Sequence, residues 1–250
     1  MTVPPELIER IKNARRVVVL TGAGVSAESG VPTFRDAQTG LWSKFDPEEL
    51  ATPGAFRRNP RLVWDWYAYR RKLVAAAKPN PAHEALVRME KLFPEFHLIT
   101  QNIDGLHQRA RSRNVIELHG NIIRTKCFDE GTIISTWNET GEVPPKCPNC
   151  GGPLRPDVVW FNEPLPEKET TLAFQVSANC DIFFSIGTSA LVYPAALLPL
   201  EALAGGATVV EINPQATSLT PKADFVLSGP AGMVVLEVMN QIRTSHPKLK

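Results

Sequence analysis

Several groups of side chains in this sequence have types and spacings that could carry chemistry. His119 sits in Glu117-Leu-His-Gly-Asn121, just after a β-branched run. An imidazole titrates near neutral pH and can take a proton from a hydroxyl, although a lone histidine at a strand end is ordinarily structural. In Thr100-Gln-Asn-Ile-Asp-Gly-Leu-His107, Gln101, Asn102 and Asp104 place amides and a carboxylate where they can hydrogen-bond carboxamide and hydroxyl groups. The plain alternative is a turn capped by Asn and Asp. Tyr67 and Arg70 stand three apart on one helical face of Trp64-Asp-Trp-Tyr-Ala-Tyr-Arg-Arg71. A guanidinium pairs bidentately with a carboxylate, and a phenol adds a hydrogen bond. Alternatively the pair belongs to an aromatic and basic face, with Trp64, Trp66 and Tyr69, packed at a domain junction.

The run Val17–Leu20 feeds Thr21-Gly-Ala-Gly-Val-Ser26, so a strand leads into Gly22-x-Gly24, with Ala27 at the third fingerprint position. Such a turn lets backbone amides and a helix N-terminus face a pyrophosphate, though a glycine turn after a strand is often only a turn. The ribose-binding acid expected about 20 residues further on is not evident, so an ordinary dehydrogenase fits poorly. The motif instead runs into Pro32-Thr33-Phe34-Arg35, a loop with an aromatic ring and a cation.

Of the four cysteines, Cys147-x-x-Cys150 makes one good metal knuckle. The other reads Cys127-Phe-Asp-Glu130, with Glu130 where a second cysteine would complete the usual set. Cys127, Cys147 and Cys150 with Glu130 or water would hold a structural Zn2+; the opposite reading is a module that has lost its metal and relies on packing. Cys180 falls in a stretch that reads as a buried strand and is taken as a core thiol.

The elements that must position these groups alternate. Further strand-like runs are Phe96–Thr100, Val115–Leu118, Asp181–Gly187, Thr208–Asn213 and Ala223–Leu227. Helical patterns open with Leu7, Ile8 and Ile11, start again at Asn80-Pro81 with Leu86, Met89 and Phe93, and recur over 194–203 and 232–242. This predicts an α/β fold, a Rossmann-like doubly wound parallel sheet. Residues 36–78, a loop followed by helices, and 124–156, rich in turn formers and cysteine, break the rhythm. They are expected to build a smaller domain, the first as a helical cofactor-loop insert and the second as a zinc-ribbon-like module. The Rossmann-like dinucleotide-binding domain would then comprise 1–35, 79–123 and 157–250. Val158-Val159-Trp160-Phe161-Asn162-Glu163 reads as one more buried strand, and Pro47 lies in the loop before Ala51-Thr-Pro-Gly-Ala-Phe56.

The 250 residues, 43% hydrophobic, suffice for a sizeable core, and a net charge of +1 gives no electrostatic reason to expect nucleic acid. A zinc-ribbon nucleic-acid binder would need a basic stripe. No run reaches the ~20 apolar residues of a membrane span, and the N-terminus lacks a secretory signal. A soluble cytoplasmic protein, no membrane partner and a monomer are expected.

Gly22–Arg35, Thr100–His107, Glu117–Asn121, Gly187–Ala195 and Glu211–Gln215, in this order, resemble the sirtuin family of NAD-dependent protein-lysine deacylases across nearly the whole chain. The resemblance implies catalysis in a cleft between a Rossmann-like and a zinc-bearing domain, with acylated-lysine proteins or peptides as partners. The acyl oxygen would attack C1′ of the nicotinamide ribose, and His119 as general base would activate a ribose hydroxyl that takes over the acyl carbon. Products would be nicotinamide, free lysine and O-acyl-ADP-ribose. It implies Gln101, Asn102, Ile103 and Asp104 on the nicotinamide side, Asn102 and Asp104 catalytic with His119. Ala23, Ser26, Thr33, Phe34 and Arg35 would line the same pocket. Gly22, Gly24, Gly187, Thr188, Ser189 and Asn213 would hold phosphates, ribose and adenine edge, with Ala231 closing the adenine end. Val159, Phe161, Asn162 and Glu163, with Val192 and Tyr193, would receive the peptide; the family usually has glycine at Asn162, which leaves the local geometry open. Tyr67-x-x-Arg70 resembles the signature of the branch that accepts succinyl and malonyl groups. A mono-ADP-ribosyltransferase on the same scaffold and a non-catalytic NAD-sensing adaptor are the competing expectations.

Overall fold

The computed structural model describes residues 3–32, 43–138 and 140–244. Six strands form one parallel sheet: β1 (Arg16–Thr21), β2 (Glu95–Thr100), β3 (Val115–Glu117), β6 (Ile182–Ile186), β7 (Thr208–Asn213) and β8 (Phe225–Ser228). Their order, β3-β2-β1-β6-β7-β8, runs outward in both directions from β1 and β6. A topological switch therefore lies between those two strands, and crevices for ligands open at such points beyond the carboxyl ends. The remaining pair, β4 (Gly120–Cys127) and β5 (Leu154–Val158), is antiparallel, with a bulge between Asn121 and Thr125.

The sheet is covered on both faces, which is why its strands are continuous β-branched and aromatic runs. On one face Val17, Val19, Phe184, Val210 and Ile212 meet α1 (Pro5–Asn13), α2 (Ala23–Ala27), α6 (Pro81–Glu90) and α10 (Ala231–Thr244). On the other, Val18, Leu20, Ile99, Phe183 and Val209 meet α8 (Glu167–Ala178) and α9 (Leu198–Ala204). The predicted start of α6 is built as its sequence suggests: Asn80 Oδ1 accepts the Ala82 amide at 2.9 Å, and Pro81 stands in the first turn, where no donor is needed.

A third core joins α3 (Pro47–Leu50), α4 (Pro53–Arg58) and α5 (Pro60–Ala76) to the β4–β5 pair through Leu50, Phe56, Trp66, Tyr67, Ile122, Val158 and Trp160. A smaller one gathers Cys127, Ile134, Cys147 and Leu154, with Trp64 and Trp137 against it. The short α7 (Leu106–Arg109) follows β2. No helix among the described residues is long and apolar enough to cross a membrane.

Four local expectations are corrected. Pro47 opens α3 rather than lying in a loop, its ring tolerated at the first helical position after the Asp46 cap. The helix expected over 194–203 is split into a 3-10 turn at Ala195–Leu197 and α9, because Pro199 cannot donate to the preceding turn. Cys180 is buried, but it precedes β6 and donates from Sγ to the Ser177 carbonyl at 3.2 Å. The strand expected through Glu163 stops at Val158. Beyond it Asn162 takes a left-handed φ of 66°, and the Glu163 carboxylate folds back onto the Trp160 amide at 2.8 Å and onto Arg155.

Candidate active site

The glycine turn after β1 meets the end of β6 at the switch point. Gly22 N–H donates to Ile186 O at 3.0 Å and Gly24 N–H to Gly187 O at 2.8 Å. A Cβ on Gly22 would stand 2.7 Å from Gly187 O, and one on Gly24 would stand 2.7 Å from Gly187 Cα. These glycines thus serve backbone-to-backbone approach. Their amides close on the neighbouring strand instead of opening toward a pyrophosphate, as the sequence pattern alone suggested.

From the end of β2 the chain folds over this turn. Asn102 Nδ2 donates to Gly22 O at 3.0 Å and to Ser26 Oγ at 3.2 Å. Ser26 Oγ donates in turn to Asp104 Oδ2 at 2.7 Å, and the Leu106 amide donates to Asp104 Oδ1 at 2.8 Å. Asp104 is 3% exposed. Burial raises its pKa above the carboxylate norm, against the pull of Leu106 and Ser26. Gln101 reaches the other strand end, donating from Nε2 to Thr188 Oγ1 at 3.1 Å. Ile103 contributes its carbonyl to Ile122 N–H at 2.8 Å. Asn213 Nδ2 donates to Thr188 O at 3.2 Å, and Ser189 is exposed beside it. Ala231 lies buried in the core at the start of α10, and the adjacent Gly232 amide donates to Glu28 Oε2 at 2.6 Å. Thr33, Phe34 and Arg35 lie outside the described residues.

His119 stands between β3 and β4. Its Nδ1 is 2.9 Å from Gln101 O. A carbonyl only accepts, so Nδ1 carries the proton and Nε2 is left with a lone pair. Burial lowers the imidazole pKa, partly offset by the Gln101 bond. The ring is thereby held neutral and basic at Nε2, the form a general base needs. Gly120 follows at φ 76°, with space for a Cβ filled by Asp157 O at 2.3 Å. That close approach lets His119 O accept the Val159 amide at 3.0 Å and joins the histidine to the 158–163 segment.

That segment is a turn locked from beneath. The Arg155 guanidinium holds both Glu163 oxygens, at 2.5 and 2.9 Å, holds Val158 O at 2.7 Å, and stacks 3.3 Å from the Trp160 ring centroid. Glu163 is thus engaged internally, while Phe161, Val192 and Tyr193 are exposed. A cavity of about 560 Å³ lies between Glu163, Leu165, Glu167 and Tyr193. Nothing in the sequence marked Arg155, one cation among many, as the organiser of this turn.

On α5, Tyr67 is 2% and Arg70 9% exposed, with the guanidinium carbon 5.9 Å from the Tyr67 ring centroid. Burial lowers the Arg70 pKa and raises that of Tyr67, while the phenol and Asp104 favour the cation. Arg70 thus feels the charge of the same buried acid that Ser26 and the Leu106 amide hold.

Apart from this crevice, one atom each from Cys127, Glu130, Cys147 and Cys150 lies within 4.8 Å of the others. Cys127 Sγ and Cys150 Sγ are 3.4 Å apart, and Glu130 Oε2 is 3.9 Å from Cys147 Sγ. The Glu130 and Gly152 amides point at Cys127 and Cys150 sulfur at 3.5 and 3.4 Å. Three thiols and a carboxylate converging with amide-to-sulfur support suit a tetrahedral zinc.

Residues 22–194 match the model of the Sir2 family. An NAD-dependent protein deacylase of Aquifex aeolicus (strain VF5) is 51% identical over 231 residues, which cover 92% of this chain and 96% of that protein. A Sir2 homolog solved in complex with NAD aligns at a TM-score of 0.90 and 45% identity, over 98% of this chain and 95% of its own. Sir2Af2, solved with a myristoylated histone peptide, aligns at a TM-score of 0.77 and 34% identity over 97% of each chain.

Proposed function

The chain belongs to the Sir2 family and is an NAD-dependent protein-lysine deacylase, and from that premise we propose that it removes succinyl and malonyl groups in preference to acetyl. The observation that carries this is the Arg70 guanidinium, 9% exposed beside Tyr67 and feeling the charge of Asp104. A carboxylate at the end of an acyl chain gains a charge-assisted, bidentate partner there, in surroundings where water screens little. An acetyl group offers that cation nothing.

NAD supplies the electrophilic ribose carbon and the hydroxyl that carries the acyl group away as O-acyl-ADP-ribose. The geometry supports the following part for the chain's own residues. Ala23, Ser26, Gly187, Thr188, Ser189 and Asn213 line the path of the dinucleotide across the switch point. Asn102 and Asp104, cross-linked through Ser26, orient the nicotinamide end. Nε2 of His119 takes the hydroxyl proton. Phe161, Val192 and Tyr193 flank the acylated peptide, whose main chain lies along the turn fixed by Arg155. The helices α3, α4 and α5 with the β4–β5 pair form the second wall of the cleft.

Three thiolates with Glu130 as fourth ligand would hold a structural zinc, away from the reacting atoms. Zinc near one per chain in purified protein, and a cobalt-substituted spectrum of three-sulfur type altered by Glu130→Ala, is the expected result; far less than one metal per chain rejects it.

The deacylation test compares NAD-dependent loss of acetyl, succinyl and malonyl from one lysine peptide, read by mass. Faster loss of the acidic groups, reversed in Arg70→Met, is expected. Equal or faster deacetylation, unmoved by Arg70→Met, overturns the preference. ADP-ribose joined to peptide with the acyl group intact points to a transferase.

A further inference from the structure

Glu211 lies on β7, two residues before Asn213 and on the same side of the sheet. It is 2% exposed, and a carboxyl group so buried requires hydrogen-bond partners. Both come from the loop that follows: Thr217 Oγ1 donates to Oε1, and Thr220 Oγ1 donates to Oε2 at 2.5 Å. The same hydroxyls accept backbone amides, Thr220 Oγ1 from Thr217 N–H at 2.8 Å and Thr217 Oγ1 from Leu219 N–H at 3.0 Å. Leu219 is buried in the core beneath. The loop is wound around one carboxylate at its base.

What the loop presents at its outer edge is Ser218, whose hydroxyl donates to Ala190 O at 3.0 Å. Ala190 holds a positive φ of 55°, which a residue with a Cβ adopts only where its surroundings impose it. Its own amide donates to Thr188 Oγ1 at 3.3 Å, and Thr188 O accepts Asn213 Nδ2 at 3.2 Å. Strand β7 and its loop therefore grip the 188–190 turn at both ends, directly through Asn213 and indirectly through Glu211.

We propose that Glu211 is a positioning residue for the dinucleotide: through Thr217, Thr220 and Ser218 it sets the left-handed turn at Ala190 and with it Thr188 and Ser189. The proposal rests on the reading above that this turn carries the dinucleotide on one side and leads to the peptide rim at Val192 and Tyr193 on the other. Glu211 itself touches neither ligand.

Calorimetric affinity for ADP-ribose, with Tm measured on the same samples, tests it. Ser218 is exposed, so Ser218→Ala removes one hydrogen bond and should leave Tm within about 2 °C. It should nevertheless weaken ADP-ribose by about threefold to tenfold, the scale of one net hydrogen bond. Thr217→Val with Thr220→Val should do the same, raising KM for NAD with kcat little changed. Glu211→Leu combined with Ser218→Ala should bind no more weakly than Glu211→Leu alone, since both cut one path. Unchanged affinity in Ser218→Ala, with Glu211→Leu losing thermal stability only, overturns the proposal. Asn213→Ala alongside separates the causes: if it too binds normally, the assignment of the turn to the dinucleotide falls and the proposal with it.

Discussion

At the scale of the residue, the informative atom is the unoccupied Nε2 of His119. Gln101 O fixes the tautomer and burial lowers the pKa, so the ring stays neutral to lower pH than an ordinary imidazole, whose value is near 6.5. The sign is definite. A base must be deprotonated to act, so the acid limb of kcat/KM should have its midpoint below 6.5. A pH–rate profile whose acid limb has its midpoint at or above 6.5 would contradict this. His119→Ala should cost about 100- to 10,000-fold in rate, as loss of a positioned proton acceptor does. The residue itself was legible, because Glu117-Leu-His-Gly-Asn121 keeps company with four other motifs. Its partner was not, since a carbonyl eighteen positions away in sequence is brought there by strand pairing alone.

At the scale of the element, sequence periodicity found the parallel strands because each is buried on both faces and reads as a continuous apolar run. It failed at 158–163, where the same apolar character belongs to a turn. Trp160 packs inward and Phe161 outward, and what decides the geometry is the Arg155–Glu163 pair, joined across eight residues. Arg155→Met should keep the β4–β5 pairing but release the turn, raising KM for the acylated peptide several-fold while KM for NAD stays put. Steady-state kinetics with each substrate varied in turn would check it. Gly120→Ala is the harsher change. It sets a Cβ 2.3 Å from Asp157 O at a φ of 76°, and should lower stability by about 2–3 kcal/mol, seen as a lower Tm. The cysteine module stands between these cases: the 127–130 half was readable as a defective knuckle, and the fold brings Glu130 into the gap left by the missing thiol.

For the molecule as a whole, two buried histidines make a large contribution to acid sensitivity. The His83 and His107 rings lie 4.8 Å apart, centroid to centroid, tilted by 52°, and burial drops their pKa values to about 4 and about 3. The folded protein keeps both neutral, while the unfolded chain protonates near pH 6.5. Stability from this source is complete above pH 6.5, declines as the pH falls through that value, and levels off below about 3. The slope approaches about 1.4 kcal/mol per pH unit for each ring. Thermal melts between pH 7 and 4 should show that decline, and His107→Gln should flatten it; an unchanged slope would place acid sensitivity elsewhere. Neither histidine announced itself in the sequence, where His107 seemed to belong with the Thr100–His107 motif and instead sits under it, its Nε2 3.0 Å from Thr21 Oγ1.

The contact of Gly22 and Gly24 with Gly187 has a bearing on how the chain tolerates change over generations. Because these positions fill a steric need against the Gly187–Thr188 backbone assigned to the dinucleotide, a library of variants there should lose activity as growth temperature rises and weaken NAD at the same time. Alleles altered at Gly22 would keep activity in the cold and lose it in the heat, and raising the dinucleotide concentration would restore them only in part.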